Sequence, residues 1–250
     1  MDFISDPSAL TPIERRGDFY FKRDDLFKVA GVRGGKVRTA LRLSKGAVGL
    51  VTAGSRKSPQ VNIIAHISWL FKLPCQLHVP SGGLTPELID AKQYEKTEIV
   101  QHNYGRNTVI ISRARKSALQ KNWTYIPFGM ECSQSVEETS NQCKNIPSNI
   151  KRIVIPLGSG MSACGVSWGM RHSDVEIIGI RTGANPEKRI KKWGCPLKRI
   201  QIIDAGVDYH KEVHATLEGI NLDPVYEAKC LKFLQPGDLF WIVGIRATEG

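Results

Sequence analysis

The chain alternates short β-branched runs with longer stretches of helical periodicity. Runs at Gly49–Thr52, Cys75–Val79, Thr97–Gln101, Ile153–Leu157, Val175–Arg181 and Leu239–Val243 read as strands. Stretches at Val37–Ser44, Gln60–Leu70, Arg106–Gln120, Ser133–Gln142, Ala163–Met170 and His210–Leu217 read as helices. Glycine- and proline-rich connections such as Pro80–Gly83 and Pro236–Gly237 separate them. The alternation predicts an α/β protein with mainly parallel sheets. A change of composition at Tyr125–Gly129 marks a passage between two domains, predicted as 1–38 with 129–250 and as 39–128.

With 250 residues, 41% of them hydrophobic, the chain can bury a sizeable core. No apolar run approaches the roughly 18–20 residues of a membrane span. The opening MDFISDPSAL lacks the basic start and apolar core of a secretory signal, so a cytoplasmic protein, or one in a host cytoplasm if viral, is expected. The six cysteines are scattered without a CxxC pair, and no metal site is expected. His210 and His214, four apart on the predicted helix, lack a third ligand and read as solvated surface.

Charge alters the picture most. The formal net charge is +11, and the segment from Arg33 to Lys57 holds seven basic residues and no acid. Lys188, Arg189, Lys191 and Lys192 form a further basic cluster. Arg33, Arg38, Arg56 and Lys57 together with that cluster are the candidate nucleic-acid contacts, since such a field attracts phosphates.

Two local signals carry chemistry. The run Arg152–Leu157 leads into Gly158-Ser159-Gly160-Met161-Ser162 and a helix-compatible stretch through Ala163. Free backbone amides at a helix N-terminus, beside residues small enough to admit an anion, make a phosphate site. It is neither a Walker loop nor a full GxGxxG. Lys36 follows Gly34-Gly35 at a helix entrance between Arg33 and Arg38, and cationic neighbours favour the neutral amine that forms a Schiff base.

Several segments resemble the fold-type II pyridoxal 5′-phosphate (PLP) enzymes, in the branch of 1-aminocyclopropane-1-carboxylate (ACC) deaminase and D-cysteine desulfhydrase. They are TPIERR (Thr11–Arg16), KRDDLFKVAGVRGGK ending at Lys36, TAGSRKSPQVNIIA (Thr52–Ala65), the glycine loop, and LDPVYEAK (Leu222–Lys229). The resemblance implies a tryptophan synthase β-like fold of two open α/β domains, and PLP as cofactor. It implies Lys36 as Schiff-base lysine and proton carrier, and Gly158, Ser159, Gly160, Met161, Ser162 and Ala163 as phosphate cradle. Tyr226 would lie against the pyridine ring with Glu227 at its nitrogen. Thr52, Gly54 and Ser55 would meet the substrate carboxylate, with Arg56 and Lys57 beside them. Lys36, Ser55 and Tyr226 are the catalytic candidates.

The sequence departs from the family where GGNK becomes Arg33-Gly34-Gly35-Lys36, and where Arg56 and Lys57 replace the neutral residues after the loop serine. These added cations favour an amino acid carried on a DNA base, decarboxylated or eliminated as in bacteriophage thymidine hypermodification. The alternatives are a deaminase or desulfhydrase-type lyase on a free small amino acid, and a non-catalytic PLP- or nucleic-acid-binding relative. The family resemblance also implies a homodimer.

Overall fold

A computed structural model describes residues 5–103, 106–195 and 199–244. The chain opens with a hairpin, β1 (Ile13–Arg16) and β2 (Phe19–Arg23), and a second small one, β3 (Lys28–Val29) and β4 (Val32–Arg33). Helix α1 (Gly35–Ser44) then begins an alternation of β5 (Leu50–Ala53), α2 (Pro59–Leu70), β6 (Cys75–Pro80), α3 (Pro86–Ala91), β7 (Thr97–His102), α4 (Asn107–Lys121) and β8 (Thr124–Ile126). Next come α5 (Ser133–Asn141), β9 (Arg152–Leu157), α6 (Met161–Gly169), β10 (Glu176–Arg181), α7 (Glu187–Lys192) and β11 (Ile200–Asp204). A short hairpin, β12 (Thr216–Leu217) and β13 (Ile220–Asn221), precedes β14 (Leu239–Ile242).

Two compact units result. The first comprises residues 5–27 and 135–244 around a six-stranded sheet of order β1-β2-β14-β9-β10-β11. Only the β1–β2 pair is antiparallel in it. Ile153, Ile155, Leu157, Trp241 and Ile177 fill one face with α6, while Phe21, Val154, Ile178, Phe240 and Cys230 fill the other. Such two-sided burial explains why β9 and β10 read as near-continuous apolar runs.

The second unit, residues 28–134, holds a fully parallel sheet of order β7-β6-β5-β8. Residues 28–38 and 129–134, expected with the large domain, lie in this unit because α1 packs on α2, β4 and β8. No helix among the described residues is long and apolar enough to cross a membrane.

The predicted helix His210–Leu217 does not form. Asp208 Oδ1 accepts from the His210 amide in a tight turn, and the segment then runs extended against residues 220–224 (Val213 N to Pro224 O, 2.9 Å; Leu222 N to Ala215 O, 3.1 Å). The reversal at Glu218-Gly219, both at positive φ, makes that pairing possible.

Helix α6 approaches α5 at Gly165, where an added Cβ would lie 2.3 Å from Thr139 Cβ and 3.0 Å from the Val136 carbonyl oxygen. Gly165→Ala should therefore destabilise the folded chain by about 1–3 kcal/mol, read as a lowered midpoint in thermal unfolding.

Candidate active site

In the first unit the site grows from the C-terminal ends of β9 and β14. Their ladder stops at Phe240↔Val154, whereas β14 stays paired with β2 as far as Ile242↔Arg23. Pro156, two residues further along β9, has no amide to extend the ladder. From β9 the chain winds to β10 and β11, while β14 and β2 lie on the other side. Strand ends at such a reversal of winding are where open α/β sheets place ligands.

The glycine loop leaves β9 at this point. Gly158 lies so close to Tyr226 that a Cβ would sit 2.9 Å from the tyrosine Cε1. Gly160 is left-handed (φ 85°, ψ −4°) and caps α6 without a side-chain hydrogen bond. The first-turn amides of α6, at Met161, Ser162 and Ala163, therefore face the loop with the positive end of the helix behind them. Pro186 and Ile190 pack against Gly160, and Arg189 donates to the Ser159 carbonyl oxygen at 2.8 Å. Arg189, read as a phosphate-seeking cation, braces the loop from α7.

LDPVYEAK folds as a capped turn. Asp223 Oδ1 accepts from Val225 N (2.8 Å) and Tyr226 N (3.0 Å), which fixes the two residues that follow. The Tyr226 hydroxyl lies 3.1 Å from that of Tyr209. Lys229, buried, donates to the carbonyls of Asp208 (2.8 Å) and Tyr209 (3.1 Å), tying the Tyr209 segment to this turn. The sequence reading missed Tyr209. Its signal was thin: an aromatic just ahead of a segment read as a helix.

Glu227 is wholly buried at 0% exposure. Its Oε1 accepts from the Val243 amide at 2.9 Å, just past the end of β14, and its Oε2 has no hydrogen-bond partner. Burial, aided by Asp223 and Asp25, holds this carboxyl well above the usual carboxylate range, against the opposing pull of the Val243 amide.

The second unit carries Lys36 as the second residue of α1, half-buried after Gly34 (φ 101°). The loop from Thr52 to Ser58 leaves the end of β5, and Ser58 caps α2 by accepting from Gln60 N at 3.3 Å. A Cβ on Gly54 would lie 2.8 Å from Val61, so only glycine brings this loop onto the helix. Ser55 is half-buried beside the α2 N-terminus, and its carbonyl closes the turn to Ser58 N (3.0 Å).

Three expectations change here. The buried Thr52 hydroxyl donates to Ile126 O (3.0 Å) and accepts from Gln60 Nε2 (2.8 Å), so it joins β5 to β8 and is turned from solvent. Arg56 donates to Gly83 O (2.7 Å) and covers Gly82. Arg38 is 2% exposed, buried on the inner face of α1, and meets no solvent-borne phosphate. Among the other cations, Lys191 pairs with Glu187 (3.0 Å), Arg33 and Lys57 are half-buried, and Lys188 and Lys192 are exposed. His210 and His214 are both exposed in the extended segment.

No family model matches the chain. D-cysteine desulfhydrase of Salmonella typhimurium is 25% identical over 291 aligned residues, covering 95% of this chain and 88% of that one. The solved structure of an ACC deaminase homologue superposes with a TM-score of 0.79 at 22% identity, covering 97% of this chain and 90% of the other. A PLP-dependent aspartate racemase superposes with a TM-score of 0.62 at 15% identity, covering 94% and 89%. The architecture is thus that of the fold-type II PLP enzymes. Within that class the chain is a homologue of D-cysteine desulfhydrase.

The folded protein holds the Glu227 proton more tightly than the unfolded chain does. That preference favours folding in acid and is lost as pH rises through the folded value. Glu227→Gln should raise the thermal midpoint of the cofactor-free protein at neutral pH by a few degrees, about 1–3 kcal/mol. The gain should vanish below about pH 4. Equal midpoints for both proteins from acid to neutral pH would contradict a strained buried carboxyl.

Proposed function

We propose that this protein is a PLP-dependent lyase that acts on a free small amino acid, in the manner named for the deaminases and desulfhydrases it resembles. The observation that carries the reading is the buried Glu227 with its unpartnered Oε2, next to a glycine loop at the same strand ends. A phosphorylated pyridine fits these residues. The loop offers a helix terminus to a dianion, Gly158 leaves room for the Tyr226 ring, and Glu227 offers a carboxyl oxygen suited to a ring N–H.

When bound, PLP supplies an aldehyde that captures an amine and a ring that accepts the electron pair released at Cα. Glu227 would face the ring nitrogen and hold a proton there. The α6 amides, with Ser159 and Ser162, hold the phosphate. Lys36 would hold the group through its amine and would move a proton at the substrate Cα. Gly54 and Ser55, at the start of α2, receive the substrate carboxylate. Tyr226, held by Tyr209, would orient the group.

The reading with DNA-borne substrate rested on a cationic mouth. Arg38 is buried, Arg56 and Arg189 are bonded to backbone carbonyls, and Lys191 is paired with Glu187. The remaining positive field serves an anionic amino acid as well as a phosphate backbone. The free amino acid is therefore favoured.

The PLP-loaded protein should release ammonia and a keto acid from ACC, or sulfide, ammonia and pyruvate from D-cysteine. Lys36→Ala should lower either rate by about 10²–10⁴-fold. If both small substrates are left intact while thymidine-linked glycine or serine on DNA is trimmed, mass spectrometry of the nucleosides will reveal it, and the DNA-borne reading returns.

A further inference from the structure

Helix α2 is apolar over most of its length, yet among the polar side chains it buries are two one turn apart, Asn62 (2% exposed) and His66 (6%). His66 Nδ1 lies 2.6 Å from the Ala30 carbonyl oxygen, and its Nε2 lies 2.5 Å from Asp90 Oδ2. The Asn62 amide also reaches Asp90 Oδ2. The Tyr94 hydroxyl sits 3.0 and 3.3 Å from the two ring nitrogens, too evenly placed to lie on either lone-pair axis.

A carbonyl oxygen can only accept, so Nδ1 carries a hydrogen. Asp90 Oδ2, 2.5 Å from Nε2, holds the other side of the ring, so the imidazole is fixed with Nδ1 donating toward the Ala30 turn.

That turn leads to Lys36. Ala30 and Gly31 reverse the β3–β4 hairpin with φ of 52° and 85°. A non-glycine residue there carries a steric cost of roughly 1–2 kcal/mol, so Ala30 needs its surroundings to hold it. A Cβ on Gly31 would sit 3.2 Å from His66 Nδ1, so the imidazole lies directly beneath the turn. From β4 the chain passes through Gly34 straight into α1, with no intervening loop before Lys36.

We propose that His66, held by Asp90, is a positioning residue for Lys36: it pins the Ala30 carbonyl, and through the hairpin fixes the start of α1. The inference rests on Lys36 being the lysine that binds PLP.

The first test is NMR of the imidazole nitrogens in cofactor-free, 15N-labelled protein. His66 Nδ1 should carry a proton, and an unprotonated Nδ1 would overturn the proposal even with no variant made. The second compares wild type with His66→Gln and Asp90→Asn. PLP is added, the imine is trapped with borohydride, and the modified lysine is located by mass spectrometry. The variants should give about tenfold to a hundredfold less trapped Lys36. Their affinity for pyridoxine 5′-phosphate, which has the phosphate and ring but no aldehyde, should stay within a factor of about two. That split separates positioning of the amine from general loosening of the fold, which would weaken both. Equal trapping in the variants, or parallel loss of both readouts, overturns the proposal. A wild type that binds the analogue but traps no imine at Lys36 instead removes the cofactor reading, and this inference with it.

Discussion

A carboxyl group buried with one oxygen unsatisfied is the constraint around which the first unit is arranged. Glu227 cannot ionise there without losing hydration, and the Val243 amide bonds Oε1 while Oε2 has no hydrogen-bond partner. Leaving such a group unpaired costs about 1–3 kcal/mol, so a fold that keeps it must gain elsewhere. A ligand that brought a donor to Oε2 would supply that gain. The splayed ends of β9 and β14 provide the place for it. The tight turn set by Asp223 presents Glu227 and Tyr226 together, and the glycine loop lies within contact of the tyrosine ring.

The second unit contributes through its own parallel sheet. Its loop after β5 is held by Gly54 against α2 and by Thr52 across to β8. Arg56 extends this frame by binding Gly83, so a residue that looks like a substrate cation in the sequence fastens one loop to another. The same pattern recurs at Arg189, which supports the glycine loop through the Ser159 carbonyl. A guanidinium with several donors suits such bracing better than a lysine would. The charges of Arg56 and Arg189 are thus part of the scaffolding and say little about partners.

The glycine turn before α6 and the place of Lys36 at the start of α1 were legible because their signals are local: small residues after an apolar run, or a lysine after two glycines at a helix start. The parallel alternation was legible for the same reason, since β9 and β10 are continuously apolar. What escaped depends on distant pairing. The segment from His210 to Leu217 has helical spacing, but residues 220–224 claim its backbone hydrogen bonds. Arg38 looks solvent-facing until α1 is packed on α2 and β8. Glu227 could be assigned a role from the DPVYEGK-like motif, yet its orphaned oxygen depends on where β14 ends. The polar pair Asn62 and His66 in an apolar helix was visible in the sequence, and its partner Asp90 was not.

The central claim is that Glu227 protonates the ring nitrogen of bound PLP. Nitrogen NMR of the protein loaded with PLP labelled with 15N in the ring measures this directly. The account predicts a protonated ring nitrogen in the wild type that shifts to the unprotonated position in Glu227→Gln. An unprotonated ring nitrogen in the wild type, or one unmoved by the substitution, would contradict it.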